Sequence, residues 1–348
     1  MTAMLDRATV ASFDSTSQFT EVLDLPAHLR DALWRVDSAG LPPIDAAGGL
    51  VVAGMGGSGV GGLLALGALR ERLLRPLSVA QGYSLPSWIG ADALVLVSSY
   101  SGSTEEALAC YDDAGRRGAR RVVATTGGEL AARARDDGVE VIPLPGGFQP
   151  RAAIGYATVV VLEVAALCGV APSLRDEVEA AAALAERLVS EWGPDAAEDS
   201  LAKTLARELQ DTVPVILGAE LTVPVAYRWK CQFNENAKLP AFDSRLPEAD
   251  HNEICGWEAA EGRLSAVLLT EPDLHPRNAV RMELTGRIIE DARGRVSIVA
   301  ARGDTPLERL ISLVLLGDLV SLYVAVLRGV DPVEIKMIDR LKDELAER

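Results

Sequence analysis

Short apolar runs alternate with amphipathic stretches along this chain, and that alternation predicts most of its elements. Residues 17–36 place Leu23, Leu25, Leu29, Leu33 and Val36 roughly on one face, the period of a helix that caps a core. From Gly49 the pattern changes. A short apolar strand over 50–53 runs into the glycine-rich stretch GMGGSGVGG and then an apolar helix over 63–74. A strand over 94–98 leads into SYSGSTEE and a helix through Ala114, a third strand spans 121–125, and a fourth spans 139–143. Strands alternating with helices at this spacing require a parallel sheet with right-handed crossovers.

The same plan returns in the second half. A strand over 213–217 opens onto GAELTVPVAYRWK and a helix, a strand over 264–269 opens onto TEPDLHPRN and a helix over 279–290, and a strand over 296–300 closes the unit. Between the halves lies a polar, Ala- and Glu-rich helical connection broken at Gly193-Pro194. The expected fold is α/β: two doubly wound parallel-sheet subdomains from a duplicated plan, with N- and C-terminal helices. The expected boundaries are an N-terminal helical segment 1–38, a first subdomain 39–172, a helical connection 173–204, a second subdomain 205–305 and C-terminal helices 306–348, the last helix starting at Pro332. The halves share little sequence, so the repeat is one of element order.

A length of 348 residues suits two ordinary domains or one large one. Two apolar stretches, 152–170 and 310–327, are long enough to be weighed as membrane spans. Each carries an acid near its middle, Glu163 or Asp318, and an unpaired charge there costs roughly 2.5 to 3.5 kcal/mol on insertion scales. Both are expected to be buried helices, and no membrane association is expected. A net charge of -16 repels polyanions, which argues against nucleic acid as a partner. Cys110, Cys168, Cys231 and Cys255 are widely separated with no CxxC pair, so neither a zinc site nor a disulfide framework is indicated, and no metal is expected. A reducing cytoplasm fits best, and the N-terminus lacks the apolar core of a secretory signal.

In a parallel sheet, ligands bind beyond the carboxyl ends of the strands. The first such junction is rich in glycine (Gly54, Gly56, Gly57, Gly59), where absent side chains let backbone amides approach a phosphate or sugar oxygen. GMGGSG can be forced onto a dinucleotide fingerprint, but the ribose-binding acid expected about 20 residues later is missing from LLRPLSVAQGYSLP. The second junction is more specific. Ser99, Ser101, Ser103 and Thr104 precede Glu105 and Glu106 at a helix start, and hydroxyls plus free helix amides make a cradle for a phosphate monoester. An ordinary cap is the competing reading, but one Ser or Thr would be enough for it. A third cluster gathers Arg228, Lys230, Gln232, Asn234, Glu235, Asn236 and Lys238. Glu is a usual general base for abstracting a proton next to a carbonyl, while a solvated helix end is the plainer alternative. His251 follows in ADHNEICGWE, the most polar setting of the three histidines, with a purely structural role equally open.

Taken together, SSYSGSTEE, GMGGSG, RWKCQFNENAK and HNEICGWE resemble the sugar isomerase domain superfamily, specifically its bifunctional phosphoglucose/phosphomannose isomerases. The resemblance covers nearly the whole chain, and the NENAK and HNE pair is its most specific part. It implies that Gly56, Gly57 and Ser58 lie beside the sugar, that Ser99, Ser101 and Thr104 hold the phosphate, and that Arg151, in FQPRAAIGY, faces the reacting carbons. It implies Glu235 as catalytic base, His251 as a ring-opening residue reaching in from the partner subunit, and a last-helix lysine as a further active-site group. Lys342 is taken over Lys336 because the family lysine lies close to the chain end.

The implied reaction interconverts glucose 6-phosphate or mannose 6-phosphate with fructose 6-phosphate, through ring opening and a cis-enediolate, without a metal or redox cofactor. The resemblance further implies a homodimer with shared active sites, and the two long apolar helices, which need burial, point the same way. A non-catalytic sugar-phosphate-binding regulatory protein is the competing class. It would need the serines but not Glu235, Arg151 and His251 together.

Overall fold

The computed structural model describes residues 4–348. The chain opens with α1 (Arg7–Phe13), α2 (Gln18–Leu23) and α3 (Leu25–Ser38). One helix was expected over 17–36. It is broken at Asp24, the N-cap of α3, with Pro26 in the first turn, where the amide that proline lacks has no helical acceptor to lose. There follow β1 (Leu50–Ala53), α4 (Gly56–Leu69), β2 (Leu77–Ala80), β3 (Leu94–Ser98), α5 (Glu105–Arg116), β4 (Arg120–Thr125), α6 (Gly128–Asp136), β5 (Glu140–Pro143), α7 (Ile154–Leu167) and α8 (Arg175–Trp192). The second half comprises α9 (Leu201–Leu209), β6 (Val213–Ala219), α10 (Val223–Asn236), β7 (Phe242–Leu246), β8 (Leu264–Thr270), α11 (Pro276–Asp291), β9 (Arg295–Ala300), α12 (Pro306–Leu327) and α13 (Lys336–Ala346). The last helix therefore begins four residues after Pro332.

Two compact units result, one from Asp24–Glu186 with Ala301–Ser312, the other from Met1–Leu23, Arg187–Ala300 and Leu313–Arg348. The first contains the sheet β2-β1-β3-β4-β5, parallel throughout, with Val52 paired to Leu96 and Val51 to Ser78. β1 and β3 are buried along their whole length, so both read as unbroken apolar runs. Val51, Val95 and Val97 pack with Ala107, Cys110 and Tyr111 of α5. On the other face α4 meets α7 so closely that a Cβ on Gly61 would lie 2.5 Å from that of Ala157. The acid in the apolar α7 is accounted for: Glu163 Oε2 accepts from Arg175 Nε at 2.8 Å, and Arg175 also donates to Asp37 at 2.9 Å. Burial pushes the Glu163 carboxyl up, and Arg175 opposes the shift.

The second unit contains the parallel sheet β7-β6-β8-β9. Its order repeats that of the first four strands, β2-β1-β3-β4, so the duplicated plan holds at the level of topology. The sequence pattern assigned no strand at β2 or β7. Each is an edge strand and only partly buried, so the apolar run that marks an inner strand is missing, and each is poorer in β-branched residues than the other two edge strands, EVIP of β5 and RVSIVA of β9. The helix α12 is long and apolar enough to cross a membrane, yet 94% of its most apolar stretch is buried. Its acid, Asp318, is paired inside the second unit with Arg228.

Candidate active site

The order β2-β1-β3 reverses direction between β1 and β3, and the crevice outside the carboxyl ends of these two strands is where a doubly wound sheet receives a ligand. The segment leaving β1 was expected to be a loop as far as Leu63. Instead α4 starts at Gly56, with Met55 as N-cap and no side-chain capping bond. Gly56, Gly57 and Ser58 thus form a helical first turn, whose N–H groups have no acceptor within the helix. Gly56 has φ +50°, and a Cβ on Gly57 would lie 2.8 Å from the Pro150 carbonyl oxygen.

The segment leaving β3 folds tightly on itself. Gly102 N donates to both the carbonyl (3.2 Å) and the hydroxyl (3.1 Å) of Ser99, and Ser103 N donates to Ser101 Oγ at 3.3 Å. Thr104, the N-cap of α5, makes no capping bond; its hydroxyl lies 2.9 Å from that of Ser99. The cluster is therefore not spent on capping, and it stands at the positive end of α5. Gly102 has φ +68°, and a Cβ there would sit 1.9 Å from the Gly127 carbonyl oxygen. Gly102→Ala is expected to lower the melting temperature by roughly 3 °C or more, because a left-handed alanine alone costs about 1 kcal/mol or more. An unchanged melting curve would show that the turn does not depend on this glycine.

Arg151 arrives on the segment that joins β5 to α7. Phe148 N donates to the Tyr100 hydroxyl at 2.9 Å, tying this segment to the one after β3, while Pro150 rests on Gly57. Arg151 is buried, with Nη1 3.5 Å from Gln149 Oε1. Phe148 packs in turn on His28 (ring centroids 4.8 Å apart), whose burial lowers its basicity. Seven of the residues singled out in the sequence, Gly56, Gly57, Ser58, Ser99, Ser101, Thr104 and Arg151, thus meet at one end of the first sheet.

Glu235, His251 and Lys342 belong to the second unit. Glu235 occupies the last turn of α10, half-buried, on a cavity of about 870 Å³ lined also by Asn234, Lys238, Leu239, Ile335 and Lys336. Because α10 runs back from the carboxyl end of β6, Glu235 lies toward the opposite end of its sheet, away from the carboxyl ends of the strands. His251 ends a short 3-10 helix, Glu248–His251, and is exposed. Its neighbour Asp250 is anchored by Thr285 Oγ1 at 2.7 Å and Arg281 Nη1 at 3.3 Å. Lys342 lies on α13, which buries none of its residues, whereas Lys336 borders the Glu235 cavity. His251 and Lys342 are not among the residues lining that cavity. Among the described residues no cluster of three or more His, Cys, Asp or Glu side chains could hold a metal ion.

A family model described as the bacterial phospho-glucose isomerase C-terminal SIS domain matches residues 198–345. A bifunctional phosphoglucose/phosphomannose isomerase of Caldicellulosiruptor bescii is 39% identical over 86% of this chain and 89% of its own. The chain belongs to the bifunctional phosphoglucose/phosphomannose isomerase family. Its relative in Aquifex aeolicus is 38% identical over 85% of this chain and 90% of its own. The fold is shared with a hypothetical protein of Thermus thermophilus, at a TM-score of 0.76 and 17% identity, over 99% of this chain and 93% of the other.

At the reversal point of the second sheet, between β6 and β8, no matching cluster of hydroxyls follows either strand. Glu220, just after β6, accepts from the backbone of His275 at 3.2 Å and from the Asn278 side chain, placing a carboxylate at the start of α11. An anionic substrate group is repelled there.

The polar cluster of RWKCQFNENAK divides by helix face. Lys230 pairs with Asp243 at 3.0 Å and lies over the Tyr227 ring, while Asn234 Oδ1 accepts from Ala241 N at 3.0 Å. Arg228, Gln232 and Asn236 turn inward and are buried, meeting Asp318 and Ser321 of α12. The sequence marked Asp318 only as a charge needing a partner, and Ser321 not at all.

Proposed function

We propose that this chain is an aldose-ketose isomerase that interconverts glucose 6-phosphate and mannose 6-phosphate with fructose 6-phosphate. The observation that carries the reading is the hydroxyl cradle at the start of α5, whose N-cap Thr104 leaves its hydroxyl uncommitted to capping. In this reading Ser99, Ser101 and Thr104 hold the phosphate, and Gly56, Gly57 and Ser58 line the sugar. His251 and Lys342 move the two protons of ring opening, from the anomeric hydroxyl and to the ring oxygen. Glu235 takes the C2 proton of the open aldose and returns it at C1, passing through a cis-enediolate whose charge Arg151 stabilises. Glucose and mannose 6-phosphates differ only at C2 and share that enediol, so one base serves both.

We also propose a homodimer in which each His251 serves its partner's site. Four free cysteines, two of them buried, support a reducing cytoplasmic setting. The deciding test is a coupled assay that follows fructose 6-phosphate from each aldose in the presence of a chelator. Turnover of neither sugar would sink the reading, and turnover of only one would confine it to that sugar.

The phosphate is remote from the reacting carbons and is held alike in ground and transition states. Replacing Ser99, Ser101 and Thr104 together by Ala is therefore expected to raise KM by roughly 10²-fold, with kcat changed far less. If inorganic phosphate inhibits the triple variant as strongly as the wild type, the cradle lies elsewhere.

A further inference from the structure

Arg228, Gln232 and Asn236 are spaced by four on α10 and form one stripe, each at most 2% exposed. Asp318 and Ser321, three apart on α12, face that stripe. Arg228 donates to Asp318 twice, Nε to Oδ1 at 2.9 Å and Nη2 to Oδ2 at 2.6 Å. Asn236 Nδ2 donates to Ser321 Oγ at 2.9 Å, Ser321 Oγ donates to the Asp318 carbonyl at 2.8 Å, and Gln18 Nε2 donates to Asn236 Oδ1 at 3.0 Å. Directional bonds thus hold the α10 stripe at both ends, Arg228 and Asn236, while the buried Nε2 of Gln232 between them has no hydrogen-bond partner.

Stability alone does not account for such a seam. Taking two charges out of water costs several kcal/mol for each ion, and a well-packed apolar pair of similar volume is commonly as stable or more so. The two helices are already closely packed without the ion pair: a Cβ on Gly317 would fall 2.1 Å from Trp229 Nε1, which donates one hydrogen bond to the Leu313 carbonyl at 2.8 Å. An apolar contact fixes separation but tolerates rotation, whereas a two-bond guanidinium-carboxylate pair fixes direction as well. Glu235 sits at the margin of the stripe, immediately before Asn236 and seven residues after Arg228. In helical projection that puts it about 20° from Arg228 and about 100° from Asn236. Turning α10 by 20° would carry a group about 6 Å from its axis through about 2 Å. An error of 1 Å in a reacting group can cost on the order of 10²-fold in rate.

We infer that Asp318 is a positioning residue: its paired bonds to Arg228, continued through Ser321 to Asn236, hold the rotation of α10 and thereby the aim of Glu235 into its cavity. The inference rests on the reading of Glu235 as the base. Asp318 touches no substrate in this role, so its loss leaves binding in place and weakens the proton-transfer step.

The test compares Asp318→Asn, Glu235→Gln and the double variant by kcat, KM, melting temperature and exchange of the substrate C2 proton with deuterated solvent. Asp318→Asn is expected to lower kcat and C2 exchange together by roughly 10- to 100-fold, with KM within about threefold. The double variant is expected to be no slower than Glu235→Gln alone, because aim has no value once the base is gone. A lower melting temperature with kcat within about twofold of wild type, or a double variant slower by the product of the single losses, overturns the inference and leaves the base standing. If Glu235→Gln itself stays within a few fold of wild type, the base reading fails and the inference falls with it. Should Asp318→Asn not fold, the pair Arg228→Met with Asp318→Leu removes both charges and leaves neither unpaired. That variant is expected to melt near the wild-type temperature and to show the same loss of kcat, and full activity in it overturns the inference.

Discussion

Glu235→Gln is expected to keep the fold and the affinity for phosphate while lowering turnover by roughly 10² to 10⁴, the usual worth of a positioned general base. The exchange replaces one carboxylate oxygen with an amide nitrogen of similar size on a half-buried residue at the end of α10, so no cavity is opened and no core contact is removed. What disappears is the capacity to accept a proton from carbon. In the proposed reading the phosphate is held at the start of α5 and is untouched, so KM is expected to move little and the loss to fall in kcat. Glucose 6-phosphate and mannose 6-phosphate should suffer alike, since both pass through one enediol. Measurement of kcat and KM for each sugar checks both points, and activity within a few fold of wild type would remove Glu235 from the mechanism.

The inner strands of both sheets were legible because burial on two faces leaves a continuous apolar run, as in the LVVA of β1 and the LVLVS of β3. Of the four edge strands, β5 and β9 were legible and β2 and β7 were not. β7 reads FDSRL, and only Ser244 and Leu246 in it are buried. The start of α4 was misjudged for a different reason. Each glycine costs about 1 kcal/mol in a helix relative to alanine, so GGSGVGG reads as loop by propensity. Close packing overrides that preference, because Gly61 admits Ala157 and a Cβ on Gly62 would lie 3.1 Å from Val52. Those glycines serve the packing of the helix.

The hydroxyl cluster at the start of α5 was readable from the density of Ser and Thr next to a helix start, a purely local signal. The seam behind Glu235 was half-readable. The spacing of Arg228, Gln232 and Asn236 puts them on one helix face, but nothing in a periodic pattern pairs Arg228 with Asp318, 90 residues later. Burial of the apolar helices was read correctly, yet its use as an argument for dimerisation falls away. Of the residues in α7, twelve are buried within the first unit, and α12 is buried too. Exposed apolar side chains occur instead at scattered positions such as Trp34, Leu74 and Ile298, and in rows on α11, where Val280, Leu284 and Ile288 are exposed at intervals of four, and on α13.

Mixing inactive Glu235→Gln protomers with inactive His251→Ala protomers is expected to restore activity if each His251 serves the site of its partner. His251 stands exposed at the end of its 3-10 helix, on a segment held by Asp250 to α11, the helix that carries the exposed apolar stripe. A symmetric pair formed through such a surface exchanges the two histidines by its two-fold axis. A mixed dimer then contains one site with both defects and one with neither. Under random exchange about half of the dimers are mixed, so recovery approaches about a quarter of wild-type sites. The measurement needs subunit exchange to be verified independently, for example by mass-tagged protomers, and activity to be followed as exchange proceeds. Complete exchange without any recovery would mean that His251 acts within its own chain or takes no part, and the shared site would have to be abandoned.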